Sequence, residues 1–272
     1  MKFAMCNEFC EGWSLEQTFQ LAAEVGYDGV EIAPFTLADD VRTLSPGRRA
    51  EIRRLAMRYG LQIVGLHWLL VKPTGLYMNH PEVAVRRATQ DYMSALAQFC
   101  ADIGGDRMVI GSPKQRDVVV GCIHEQAWDW ACETFTAVLP TAARCGVTLC
   151  LEPLARSETN FINTVSEGLL MVAQLGDPHF RVHLDVKAMA DEGRPLGDII
   201  RESAGKVGHL HVNDANRNGP GWGDTDYGPI VHALRDITYD DYASVEVFDF
   251  SHGAERIARS SLCFLKEAFK EA

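Results

Sequence analysis

Short runs of apolar and β-branched residues recur along the chain, each followed by a turn and then by a longer stretch in which apolar positions return every three or four residues. The first pattern predicts buried strands and the second predicts amphipathic helices. Eight strand runs can be counted, over residues 3–6, 29–33, 62–67, 107–110, 148–152, 181–185, 209–212 and 244–247. Helical stretches fall between most of them, over residues 14–25, 46–59, 81–103, 124–145, 165–175 and 253–269. Start and stop signals agree with several of these: Ser14 stands three residues before Gln17, and Gly26, Gly60 and Gly146 follow the ends of three helices.

Repeated strand–turn–helix units imply parallel strands joined by crossover helices. Eight such units in 272 residues match what a closed single (β/α)8 TIM barrel requires, and no Ser/Gly-rich or Pro-rich linker divides the chain. We therefore expect α/β architecture with one domain over residues 1–272. An open doubly wound sheet is the alternative, but the Gly-rich run at 219–223 follows a strand without opening a helix, and its Pro220 and Trp222 spoil a phosphate cradle. That run is expected to be a loop.

Charge and composition narrow the function. Twenty-six basic against thirty-seven acidic residues leave a net charge of -11, which opposes a nucleic-acid partner. No apolar run is long enough to span a membrane, and the N-terminus lacks a signal-like apolar segment, so a cytoplasmic protein is expected. The eight cysteines show no CxxC pair or zinc-ribbon spacing and read as reduced thiols, most of them buried.

In a barrel the chemistry sits where strands end. Four consecutive strands finish in metal-binding or acid–base groups: the fifth in Glu152, the sixth in Asp185, the seventh in His211 and the eighth in Glu246. Any one of these could find a private partner, but four on neighbouring strands would bring repelling acids together unless a cation holds them. Three carboxylates and one imidazole suit one divalent ion, Mn²⁺ or Mg²⁺ first, with Co²⁺ and Zn²⁺ compatible.

These residues carry a resemblance. Leu151-Glu152-Pro153-Leu154, His183-Leu184-Asp185 and the run from Gly208 to Asp214 resemble the xylose isomerase-like barrel superfamily, often called sugar phosphate isomerase/epimerase. Within it the chain is most similar to the ketose 3-epimerase and hydroxypyruvate isomerase branches. The resemblance implies that Glu152, Asp185, His211 and Glu246 are the metal ligands and that Glu152 and Glu246 are also the catalytic acid and base. It implies a sugar isomerase or epimerase that moves a proton through a cis-enediolate, acting on a ketose or related keto-polyol. Homologous barrels often form homodimers or homotetramers.

Ketose 3-epimerases further hold the sugar through a glutamate, an arginine and a histidine, and Glu158 and Arg217 match the first two. The histidine is replaced by Ala188, so Lys187 is the candidate cation there. His67 beside Trp68 suits sugar recognition, and Lys114 follows the fourth strand where a carboxylate or phosphate can be met. Arg116 reads more readily as a solvated loop residue. Glu31 is placed at the barrel mouth, and Asp224 and Asp226 are expected to order the loop bearing Arg217. Three rival readings stay open: a dehydratase of a keto-inositol, in which His67 or Lys187 protonates a leaving hydroxyl; an endonuclease IV-like repair enzyme, opposed by Ser112, Ala188 and the net charge; and a noncatalytic sugar-binding barrel.

Overall fold

The computed structural model describes residues 1–271. Eight strands, β1 (Lys2–Cys6), β2 (Gly29–Ile32), β3 (Gln62–Leu66), β4 (Arg107–Ile110), β5 (Thr148–Leu151), β6 (Phe180–Asp185), β7 (Val207–Val212) and β8 (Tyr242–Val245), close in sequential order into a parallel barrel. Closure is made by β8 against β1, with Ala4 opposite Ser244. The open-sheet alternative is thereby excluded. Among the described residues nine α-helices connect and surround the strands: α1 (Leu15–Val25), α2 (Pro46–Arg58), α3 (Val83–Ile103), α4 (His124–Cys145), α5 (Val165–Leu175), α6 (Val186–Ala190), α7 (Leu196–Glu202), α8 (Gly228–Asp236) and α9 (Ala254–Glu271).

Local chemistry explains the ends of these elements. Ser14 and Gln17 form a reciprocal capping box at the start of α1, and Gly26 ends that helix in a left-handed conformation that costs other residues more. Between helices and barrel, Phe19, Phe99, Phe135 and Phe180 are fully buried, each contributing roughly 1.5–3 kcal/mol by leaving water. Inside the barrel the packing turns polar. Glu31, His67, His183, His209, His211 and Ser244 are all fully buried there or at its upper rim.

The strands stop one residue earlier than expected at Ile32, Leu66 and Leu151 and two residues earlier at Val245, so Glu152 and Glu246 are the first residues of the following loops. Their amides nevertheless continue the ladder, Glu152 donating to the Ile110 carbonyl at 3.2 Å and Glu246 to the Val212 carbonyl at 3.3 Å. The register also sets Asp185 directly opposite His211 on the neighbouring strand. Helices α6, α7 and α8 were not anticipated; they have five, seven and nine residues, too few to display a helical period. The 219–223 run is a loop, as expected. All eight cysteines are free, and among the described residues no helix is long and apolar enough to cross a membrane.

Candidate metal centre

At the C-terminal mouth of the barrel, Glu152, Asp185, His211 and Glu246 offer ligand atoms that all lie within 4.8 Å of one another. Each is at most 5% exposed. Their closeness depends on small residues nearby: a Cβ at Gly111 would stand 1.8 Å from Glu152 Oε2, so only glycine leaves that carboxylate its place. Sequence reading passed over Gly111, because nothing local marks a glycine that makes room for a side chain 41 positions away.

Three of the four candidate ligands, Asp185, His211 and Glu246, are held from outside the cluster. The Asp185 carboxylate accepts from the Ala188 amide at 2.7 Å and from Asn213 Nδ2 at 2.7 Å. Asn213 in turn accepts from the Lys187 amide at 2.8 Å. His211 Nε2 lies 3.2 Å from both oxygens of Glu31, while Nδ1 faces Glu246 Oε2 at 3.0 Å. A carboxylate only accepts, so both ring nitrogens donate, Nε2 to Glu31 and Nδ1 to Glu246, and Glu31 orients the ring so that Nδ1 points toward the three acids. Trp68 Nε1 donates to the other oxygen of Glu246 at 2.7 Å.

The electrostatics separate the two glutamates. Burial, then the neighbouring charges of Glu246 and Asp185, push the Glu152 carboxyl well above its usual value. Burial also opposes ionisation of Glu246, but His211 outweighs it and brings that carboxyl below its usual value. Asp185 is raised, by burial first and despite Lys187. Three buried acids with one imidazole among them form a donor set that a divalent cation would complete, and hard oxygen donors suit Mn²⁺ or Mg²⁺.

A cleft of about 570 Å³ opens over this cluster, with Glu152, Glu246, Trp68, Glu158, Lys187 and Phe248 on its wall. Lys114 and Arg217 also line it and are exposed. Lys187 Nζ donates to both oxygens of Glu158, at 2.8 and 3.0 Å, and sits 4.1 Å from the Phe248 ring centre. Burial lowers the affinity of Lys187 for its proton, but Asp185 and Glu158 more than offset this, so it is a firm cation. Arg217 stands 5.2 Å from the same ring. Trp68 and Arg217 both hold positive φ, 51° and 72°, an unfavourable backbone for non-glycine residues that clusters at functional sites.

The remaining expected positions fall elsewhere. His67 is wholly buried, its Nε2 2.6 Å from Glu8 Oε2, and it does not line the cleft; the acid that captures it comes from beyond β1. Glu31 lies inside the barrel between His209 and His211 rather than open to the mouth. Arg116 is not solvated: it is fully buried, donating to the Ile110 carbonyl and, at 2.6 Å, to the Glu152 carbonyl. The Arg217 loop is tied mainly by Asp214, whose carboxylate accepts from the Gly223 amide at 2.9 Å and from Thr225 Oγ1 at 2.7 Å. Asp226 only caps the start of α8, through the Gly228 amide at 3.0 Å. Phe248 was missed, although its place two residues past Glu246 puts it on the same side of an extended segment.

A family model described as the xylose isomerase-like TIM barrel matches residues 19–268. The chain belongs to that family. Among its relatives is a D-psicose 3-epimerase of Enterocloster bolteae, 30% identical over 232 residues that cover 84% of this chain and 75% of the relative. An L-ribulose 3-epimerase of Mesorhizobium japonicum is 26% identical over 247 residues, 91% of this chain and 80% of the relative. The fold is shared with a D-psicose 3-epimerase of Clostridium cellulolyticum solved with D-tagatose, at a TM-score of 0.89 and 24% identity over 99% of both chains. As a xylose isomerase-like barrel whose curated relatives are sugar epimerases, the chain is an enzyme of their family.

Proposed function

We propose that this enzyme is a divalent-metal-dependent epimerase of a ketose, transferring the proton at C-3. The observation that carries this reading is the convergence of Glu152, Asp185, His211 and Glu246 within 4.8 Å, with the two glutamates driven toward opposite protonation states. Bound there, Mn²⁺ or Mg²⁺ supplies Lewis-acid polarisation of a carbonyl and its neighbouring hydroxyl. Glu246, held ionised by His211 and oriented by Trp68, removes the proton beside the carbonyl. Glu152, which holds its proton more tightly, delivers one to the opposite face of the resulting enediolate. Pairs of carboxyls set apart in this way divide acid from base work.

Glu158, Lys187 and Arg217 orient the sugar against the Phe248 ring, and Lys114 meets its outer end. Lys187 takes over the polar role left open by Ala188. His67 is spoken for by Glu8 and Lys187 is firmly protonated, so neither readily gives up a proton to a leaving hydroxyl, and the epimerase reading is preferred to the dehydratase. The relatives named above support the same choice. The test is exchange at C-3: a panel of ketoses incubated in D₂O with Mn²⁺ takes up one deuterium at C-3 together with formation of the epimer. Loss of water, or epimer formation unaffected by a chelator, contradicts the proposal.

A further inference from the structure

Beyond Trp68 lies a second cleft, of about 710 Å³, whose lining apart from Trp68 differs from that of the cleft over the acid cluster. Trp68 belongs to the walls of both clefts. Its ring lies between Phe35, 5.9 Å away at 31°, and Phe248, 6.5 Å away at 23°. Phe35 lines the second cleft and Phe248 the first, so one aromatic wall runs from the metal centre outward. Trp13 adds a further indole to the second cleft and is 42% exposed, an uncommon state for so large an apolar ring.

The polar part of this cleft is equally specific. Glu8 lines it and is only 4% exposed. One of its oxygens, Oε2, is taken by His67, whereas Oε1 has no hydrogen-bond partner among the described residues. Buried carboxylate oxygens are seldom left so, because the lost hydration is not replaced. Asn7 is already committed, accepting from the Ala33 amide at 2.7 Å and donating to Thr36 Oγ1 at 2.8 Å. The cleft thus asks for an occupant with a flat apolar face for the rings and a hydroxyl donor for Glu8. A plain hydrocarbon would leave Glu8 Oε1 unpaired, and an anion would face Glu8 and Glu11 against the one cation among the described residues of the lining, Arg48, which is already paired with Glu51 at 2.8 Å.

We infer that the second cleft is a glycosyl subsite, so that the preferred substrate is a ketose carrying a second sugar ring. Sugar rings offer C–H faces to aromatic side chains and hydroxyls to carboxylates. Size agrees: the metal-facing cleft alone already falls in the range of roughly 300–1,000 Å³ typical of small-molecule sites, and a single hexose leaves the volume beyond Trp68 unfilled.

The inference rests on the epimerase reading for the ketose ring but not for the second ring, and binding tests it separately from turnover. Calorimetric titrations, with and without Mn²⁺, compare D-fructose with maltulose, leucrose and isomaltulose, which carry glucose on O-4, O-5 and O-6. At least one glucosyl ketose binds about tenfold tighter than D-fructose, and Trp13→Ala removes most of that advantage while Trp13→Phe restores it. D-fructose binding as tightly as all three, or an advantage that survives Trp13→Ala, overturns the subsite. Tight binding of a glucosyl ketose without C-3 exchange contradicts the epimerase reading and leaves the subsite standing; exchange of D-fructose with no gain from glucose does the reverse.

Discussion

Two carboxylates, Glu31 and Glu152, are buried at the same end of the same barrel, and they are held in opposite ways. Burial opposes the charge of both. Glu31 overcomes it because His211 and His209 flank it, with His209 Nε2 2.8 Å away, and its carboxyl is driven well below the usual range. Glu152 has no such partner; Glu246 and Asp185 add repulsion to burial and raise it. Burial therefore does not decide whether an acid in the barrel gives up its proton or keeps it. The sign of its neighbours does.

The largest effects should fall on the mouth. Glu246→Gln and Glu152→Gln each lower kcat by about 10²–10⁴, the range for loss of a positioned acid or base. Glu246→Gln also abolishes C-3 exchange in D₂O; full exchange in that variant removes Glu246 as the base. One step smaller, Glu31→Gln frees the His211 ring it orients, and Mn²⁺ affinity measured by calorimetry falls by about 10–100-fold. An unchanged affinity would dissolve the distinction between the supporting acid and the liganding ones.

A thermal shift then separates the two regions further. Mn²⁺ at about 100 times its Kd stabilises the wild-type chain by about 2.7 kcal/mol, a rise in Tm of about 5–10 °C for a chain of this size. The smallest effect is the most diagnostic. With its folded value raised, Glu152 contributes stability only while protonated, fully below its ordinary value of 4.5, and that stability is lost as pH rises toward the folded value. Glu31, with its folded value lowered, contributes above 4.5 and loses that contribution only as pH falls. At neutral pH without metal, Glu152→Gln should therefore raise Tm by a few degrees and Glu31→Gln should lower it. Shifts of the same sign would mean that the two acids are not differently held.

The legibility of these features in the sequence follows the same division. The eight strands announce themselves by apolar runs, and Glu152, Asp185, His211 and Glu246 stand at strand ends, where position alone predicts convergence. Contacts across the barrel are another matter. Glu8 and His67 are 59 positions apart and Glu31 and His211 are 180 apart, and no local pattern says which buried acid will meet which imidazole. Arg116 eludes sequence reading for a related reason: its partners are backbone carbonyls, which every residue carries. The short helix α6 begins with Asp185 as its N-cap, so one residue serves as both strand end and helix start and hides the boundary.

The proposed epimerase holds one divalent cation at the mouth and none beside Glu31. Crystals soaked in Mn²⁺ and measured at the manganese absorption edge test it most directly. The expected result is a single anomalous peak within bonding distance of Glu152, Asp185, His211 and Glu246. A peak between Glu31 and His209, or no peak at the mouth at saturating Mn²⁺, would contradict it.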